Sequence, residues 1–300
     1  MGHDHDHSHG ACAHGRVQEG SSLRARFAWG SAVNLGFVGV EAFWAWRSGS
    51  MALWADAGHN LGDVLGLLLA LVGAMLSARR PDARYSFGMR RASGLAALAN
   101  ALILLVGTLW IAGEAIVRLL DPIPVEMGSV PWIALGGVAV NGLSALLFLG
   151  DRHDLNVRAA FLHLAGDAAV SAAVALGAVL VLATGWVRLD PLLALAVCGF
   201  LLKETWPIFR QALDMNLDAV PTRLDATEVG NWLEMQEGVV EVHDLHVWSL
   251  GTREVALSVH LVMPSQDLRF DVVREGLRTR FGIGHSTIQC EREACPQRCA

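Results

Sequence analysis

The sequence predicts an α-helical polytopic membrane protein with six transmembrane helices and a C-terminal cytoplasmic α+β domain. Three observations carry that reading. Of 300 residues, 53% are hydrophobic and only 17% charged, with a mean hydropathy of +0.40, which is too apolar for an ordinary soluble chain. Six apolar stretches are long enough to cross a bilayer, which takes about 20 helical residues. After Asp214 the apolar character stops, and mixed charge with short periodic segments runs to Ala300.

The elements follow in order. Residues 1–25 open with "MGHDHDHSHGACAHG", which offers nothing apolar to bury and predicts a disordered cytoplasmic arm. Its His3, His5, His7, His9, Cys12 and His14 make it either a weak metal-gathering arm or an appended affinity tag. Residues 26–213 form the transmembrane domain, with spans at 27–46, 51–77, 95–119, 130–149, 157–184 and 189–209. The start is too polar for a cleavable signal peptide, and the first apolar run is long enough to stay in the membrane. Arg16, Arg24, Arg26, Arg79, Arg80, Arg84, Arg90, Arg91, Arg152 and Arg158 collect on one side, against Arg47, Arg118 and Arg188 on the other. Basic residues favour the cytoplasm, so both termini are expected there.

Residues 214–291 read helix (225–235), strand (239–250), strand (254–263), helix (268–281) and strand (286–291). That order suits a small ferredoxin-like sandwich resembling a metallochaperone. Residues 292–300 form a tail. The five cysteines, Cys12, Cys198, Cys290, Cys295 and Cys299, are an odd number on cytoplasmic or buried surface, which argues against a disulfide framework and leaves thiols free for metal. Lipid is the expected surrounding, and no nucleic-acid partner is expected.

The polar residues inside the spans need a reason, because an Asp at a bilayer centre costs about 2.5–3.5 kcal/mol. In "WADAGHNLGD" of the second span, Asp56, His59 and Asp63 fall on one helical face. The fifth span repeats the pattern in "FLHLAGDAAVS": His163 and Asp167 are four apart, with Asn156 seven before and Ser171 four after. Two facing helices, each with His-x-x-x-Asp, would supply two imidazole nitrogens and two carboxylate oxygens, a tetrahedral shell for Zn²⁺. Asp56 is either accessory to an ion path or a hydrated residue near the membrane surface. Asn34 and Glu41, seven apart in the first span, share a face and are either accessory or structural.

With "YSFGMRRASGLAALAN" before the third span and "NVRAAFLHLAGDAAVS" opening the fifth, these motifs resemble the cation diffusion facilitators, a family of zinc transporters. The resemblance runs from about Arg26 to Glu291 and implies a homodimeric Zn²⁺/H⁺ antiporter whose transport ligands are His59, Asp63, His163 and Asp167. Two positions depart from the family pattern. Ser93 stands where an acidic residue is expected, and Tyr85 where some bacterial members carry a metal-binding His.

The chemistry supports transport in its own right. Metal needs neutral histidines and ionised aspartates, so protons and Zn²⁺ compete for the same groups, which is the physical basis of antiport. Imidazoles argue against Mg²⁺ and Ca²⁺, while Cd²⁺ and Co²⁺ stay open. An enzyme is not expected: four ligands fill the shell, and no His-Glu-x-x-His supplies a general base. A membrane-bound zinc sensor without transport is the alternative.

In the C-terminal domain, Val255, Leu257, Val259 and Leu261 alternate onto one face of the second strand, which puts His260 on the other. His243, at a position where relatives often bind metal, and His260, His285, Cys290, Glu291, Cys295 and Cys299 are either ligands of a regulatory zinc site or solvated side chains on a sheet face and a frayed tail. That site, on the first reading, links the two cytoplasmic domains of the dimer.

Overall fold

The computed structural model describes residues 32–146, 155–252, 254–264 and 269–293. The His- and Cys-bearing arm (His3, His5, His7, His9, Cys12, His14) and the tail residues Cys295 and Cys299 lie outside the described residues. The first part of the chain is helical: α1 (residues 32–48), α2 (Met51–Ser77), α3 (Ala92–Leu120), α4 (Val130–Leu146), α5 (Leu155–Thr184) and α6 (Leu189–Asn216). Among the described residues, four segments are long and apolar enough to cross a membrane: Met51–Ser77, Ala92–Leu120, Phe161–Thr184 and Leu189–Asn216. The chain therefore has a helical transmembrane domain. Leu67, Leu68, Leu71, Val72 and Met75 of α2 are all more than half exposed, the surface expected of a helix that meets lipid tails rather than water.

Helix ends differ from the ends of the apolar stretches. The third helix starts at Ala92 rather than 95, and α6 runs on to Asn216 rather than stopping at 209. Apolarity marks the thickness of the bilayer, whereas backbone hydrogen bonding carries a helix through polar turns beyond it.

The chain divides into two compact units, one of residues up to Val64 with Leu104–Leu202, the other of Leu65–Ile103 with Lys203 onwards. Small residues dominate the buried surfaces of the first unit. Ala45, Ala52, Ala134, Ala175 and Ala178 pack with Leu53, Val130 and Val174, and Ala55, Ala115 and Ala194 pack with Met51, Cys198 and Leu201. Small side chains let membrane helices approach closely. Gly49, at φ 73°, ends α1 with its N–H on Ala45 O at 2.9 Å. The orphan N–H groups at the start of α2 are then met by Asp190 of α6. Its buried carboxylate accepts from Ser50 Oγ (2.5 Å), Met51 N (2.7 Å) and Ala52 N (3.3 Å), so a residue distant in sequence caps the helix.

The second unit contains the C-terminal domain: α7 (Ala226–Glu234), β1 (Glu241–Ser249), β2 (Val255–Val262), α8 (Phe270–Phe281) and β3 (Ile283–Glu291). Asp225 caps α7 by accepting from Thr227 N at 2.8 Å. The sheet order is β1-β2-β3, with β1 antiparallel and β3 parallel to β2. Val229 and Leu233 of α7, Leu257, Val259 and Leu261 of β2, and Val273, Leu277 and Phe281 of α8 form the core. The last strand begins at Ile283 rather than 286, because Gly282 takes φ 68°, closes α8 and returns the chain directly to the sheet. In the same unit Arg90 pairs with Glu254, and Arg91 with Asp218 at 2.5 Å.

Replacing Asp190 by Ala strands three donors at the start of α2. Asp190→Ala should cost on the order of 2 kcal/mol, read as a lower unfolding midpoint in detergent, and Asp190→Asn, which keeps an acceptor, should cost less.

Candidate metal centre

One turn of α2 separates His59 from Asp63, and one turn of α5 separates His163 from Asp167. The two helices turn these pairs toward each other. His59 Nε2 lies 3.1 Å from Asp167 Oδ1 and 3.7 Å from Asp63 Oδ2, while His163 Nε2 lies 3.4 Å from Asp63 Oδ2 and 3.7 Å from Asp167 Oδ2. Each imidazole thus faces both carboxylates, and the two rings stand edge to face with centroids 6.2 Å apart. Ligand atoms of His59, Asp63 and Asp167 lie within 4.8 Å of one another. The Asp167 side chain is 4% exposed and that of His163 51%, so the ring is closed on one side and open on the other. Two nitrogens and two oxygens at this spacing form a donor set that suits Zn²⁺.

Asp56 is not hydrated: it is 0% exposed and accepts from Ser171 Oγ at 2.8 Å. A position near the start of a span does not imply water when α5 packs over it. Glu41 is equally buried and accepts from Asn60 Nδ2 at 3.0 Å. Asn34 keeps a buried Oδ1 that finds no donor among the described residues. Sequence reasoning missed Asn60, although its place four after Asp56 was a usable signal, and it missed Asn141, buried on α4 with neither amide atom bonded among the described residues.

A second cluster lies on the C-terminal sheet. His243 Nε2 is 3.1 Å from Glu291 Oε2, and His260 Nδ1 is 2.9 Å from Glu291 Oε1, with the two rings 5.2 Å apart. The pairing of β1 with β2 jumps from His243↔His260 to His246↔Ser258, so two residues of β1 oppose one of β2, and Asp244 takes φ 52°. This bulge re-aims Asp244, which lies 3.6 Å from His260 Nε2 and 3.1 Å from His246 Nε2. Simple alternation along the strand hides both Asp244 and His246.

Among the described residues, the structure does not bring Cys290 or His285 to this cluster. Cys290 points to the opposite face of β3, with Sγ 3.9 Å from Met263 Sδ, packed against the domain core. Burial pushes its thiol above the ordinary range, which disfavours the thiolate a metal needs. His285 shares the Glu291 face but sits six residues away, about 20 Å along a strand. Its ring instead lies 5.2 Å from Phe87.

A ring of histidines and aspartates between membrane helices, with a separate α+β domain carrying a second such cluster, defines a metal-handling membrane protein. A family model described as the cation efflux transmembrane domain matches residues 29–215, and one described as the cytoplasmic domain of cation efflux proteins matches residues 221–293. The chain is 37% identical to the zinc transporter ZitB of Escherichia coli, over 96% of this chain and 93% of that protein. It is 32% identical to a cadmium, cobalt and zinc/H(+)-K(+) antiporter of Bacillus subtilis over 86% of each, and 32% identical to the metal cation efflux system protein CzcD of Cupriavidus metallidurans over 99% and 92%. The chain belongs to the cation efflux, or cation diffusion facilitator, family of membrane transporters.

Because its thiol is turned into the core, Cys290 should react slowly with a maleimide at neutral pH and faster as pH rises, with no protection by Zn²⁺. Peptide mass spectrometry of the labelled protein reads this, and protection by Zn²⁺ would place Cys290 among the ligands.

Proposed function

We propose that this protein is a proton-coupled exporter of Zn²⁺, working as a homodimer of six-span subunits in a bacterial inner membrane with both termini in the cytoplasm. The observation that carries the proposal is the ring in which His59 and His163 each face both Asp63 and Asp167 at 3.1–3.7 Å. Zn²⁺ entering from the cytoplasm takes two neutral imidazoles and two carboxylates, so any protons on those groups must leave toward the cytoplasm. When the site opens to the far side, protons displace the metal, and the protonated site returns. Both metal and protons neutralise the ring, and an empty ionised ring is the costly state in an apolar surround. Cd²⁺ and Co²⁺ fit the same donors, and the Bacillus subtilis relative is named for both. His243, His260 and Glu291, with Asp244 and His246 beside them, form a regulatory Zn²⁺ site on the cytoplasmic domain.

Zn²⁺ flux into proteoliposomes, followed with internal pH, tests the proposal. Wild-type flux should depend on the pH gradient and move protons the opposite way, and His59→Ala should reduce it to the level of empty vesicles. Zn²⁺ binding without flux would instead make the protein a sensor.

Asp63→Ala and Asp167→Ala should likewise abolish flux while leaving thermal stability in detergent unchanged or raised, since each removes a carboxylate from an apolar surround. Loss of the folded protein in both variants would assign these residues a structural role.

A further inference from the structure

Beside the metal ring lies a second buried polar layer. Glu41 of α1, Asp56 and Asn60 of α2 and Ser171 of α5 are each 0% exposed. Asn60 Nδ2 donates to Glu41 Oε2 at 3.0 Å, and Ser171 Oγ donates to Asp56 Oδ2 at 2.8 Å. The other two carboxyl oxygens, Glu41 Oε1 and Asp56 Oδ1, are buried and find no N–H or O–H donor among the described residues. The two side chains are nevertheless in hydrogen-bonding contact with each other. Carboxyl groups in contact away from water cannot both be bare anions, and one proton between them satisfies both oxygens.

The placement of this pair has a direction. Asp56 precedes His59 by three residues on α2, and Ser171 follows Asp167 by four on α5. Both contacts therefore lie on the same side of the ring, about one helical turn or 5 Å from it, away from the end of α2 that leads into Arg79 and Arg80. With the arginine-rich loop cytoplasmic, the pair sits toward the far side, where protons enter an exporter. The titratable groups that face it are His59 from α2 and Asp167 from α5. From α1 comes Glu41 itself, and α4, whose Gly137 lies against Ser171, buries no charged residue.

We propose that Glu41 and Asp56 form a proton-holding pair, distinct from the metal ligands, that takes protons from the far side and supplies the transport ring. At rest the pair shares one proton and carries one negative charge. A proton arriving from the far side bonds to the free carboxylate oxygen and makes the pair neutral. One carboxyl O–H then breaks as that proton passes to the vacated ring, and the pair returns to its singly protonated state. The proposal rests on the antiport reading.

Glu41→Gln separates cycling from packing, because its amide N–H donates permanently to Asp56 and keeps the contact. In full-length protein, Glu41→Gln should leave the Zn²⁺ dissociation constant within about threefold of wild type while lowering gradient-driven Zn²⁺ flux about tenfold or more and flattening its dependence on far-side pH. Ser171→Ala, which removes a hydrogen bond but no proton, should keep that pH dependence. Wild-type flux and pH dependence in Glu41→Gln would overturn the pair, whereas a wild-type protein that moves Zn²⁺ without protons would overturn the antiport reading itself. Should Glu41→Gln lose Zn²⁺ binding, Asp56→Asn, which donates from the other side, is read by the same assays. Loss of binding in both variants would overturn the proposal in favour of a structural role.

Discussion

Uncompensated charge in an apolar surround is the constraint on which the transmembrane structure turns. His59, Asp63, His163 and Asp167 cannot reach bulk water together, so each must be answered by another of the four, by a metal or by protons. The geometry reflects this: every imidazole nitrogen that faces the ring has two carboxylates within 3.7 Å. The same constraint acts on Glu41 and Asp56, which meet each other, Asn60 and Ser171 rather than standing alone. The carboxylates and imidazoles at this depth gather into two layers because isolated ones would be expensive.

Holding two layers in register requires helices that are fixed along their axes. Asp190 does this for α2 at one end, by binding three donors of its first turn. A slide of α2 by one residue would break that cap and turn His59 and Asp63 off the facing α5. Alanines at the buried seams, such as Ala55, Ala115 and Ala194, keep the backbones close with little side-chain entropy to lose. Precision at the ring is thus supplied by small residues and one distant carboxylate, none of which touches the ring.

Much of this was legible in the sequence, because the signals are periodic. Four-residue spacing put His59 with Asp63 and His163 with Asp167, and two-residue alternation put His260 opposite the core face of β2. What escaped were features that break a period or join distant segments. The bulge at Asp244 reverses the alternation of β1, so Asp244 and His246 could not be placed by counting. Asp190 reads as an ordinary residue at a span entrance, and its role appears only when α2 and α6 are seen together. Asp56 was open between water and burial, since depth in a bilayer cannot be told from distance to a span end when another helix packs over it. Alternation already puts Cys290 and His285 on opposite faces of β3, so both cannot join Glu291, and the length of the strand separates His285 from it as well.

The two histidine–carboxylate clusters share donors and differ in surroundings, and the tasks proposed for them follow that difference. On the C-terminal sheet, His246 is exposed and His260 partly so, so water and counter-ions can compensate the cluster in any state of occupancy. Such a site can fill and empty with the free metal concentration, which is the behaviour the proposed regulatory role needs. Between the membrane helices, Asp167 is closed off and the ring opens only past His163, into an apolar surround where an empty ionised ring has little such relief. The proposed antiport follows from this surround, since it exchanges one compensating cation for another across the barrier.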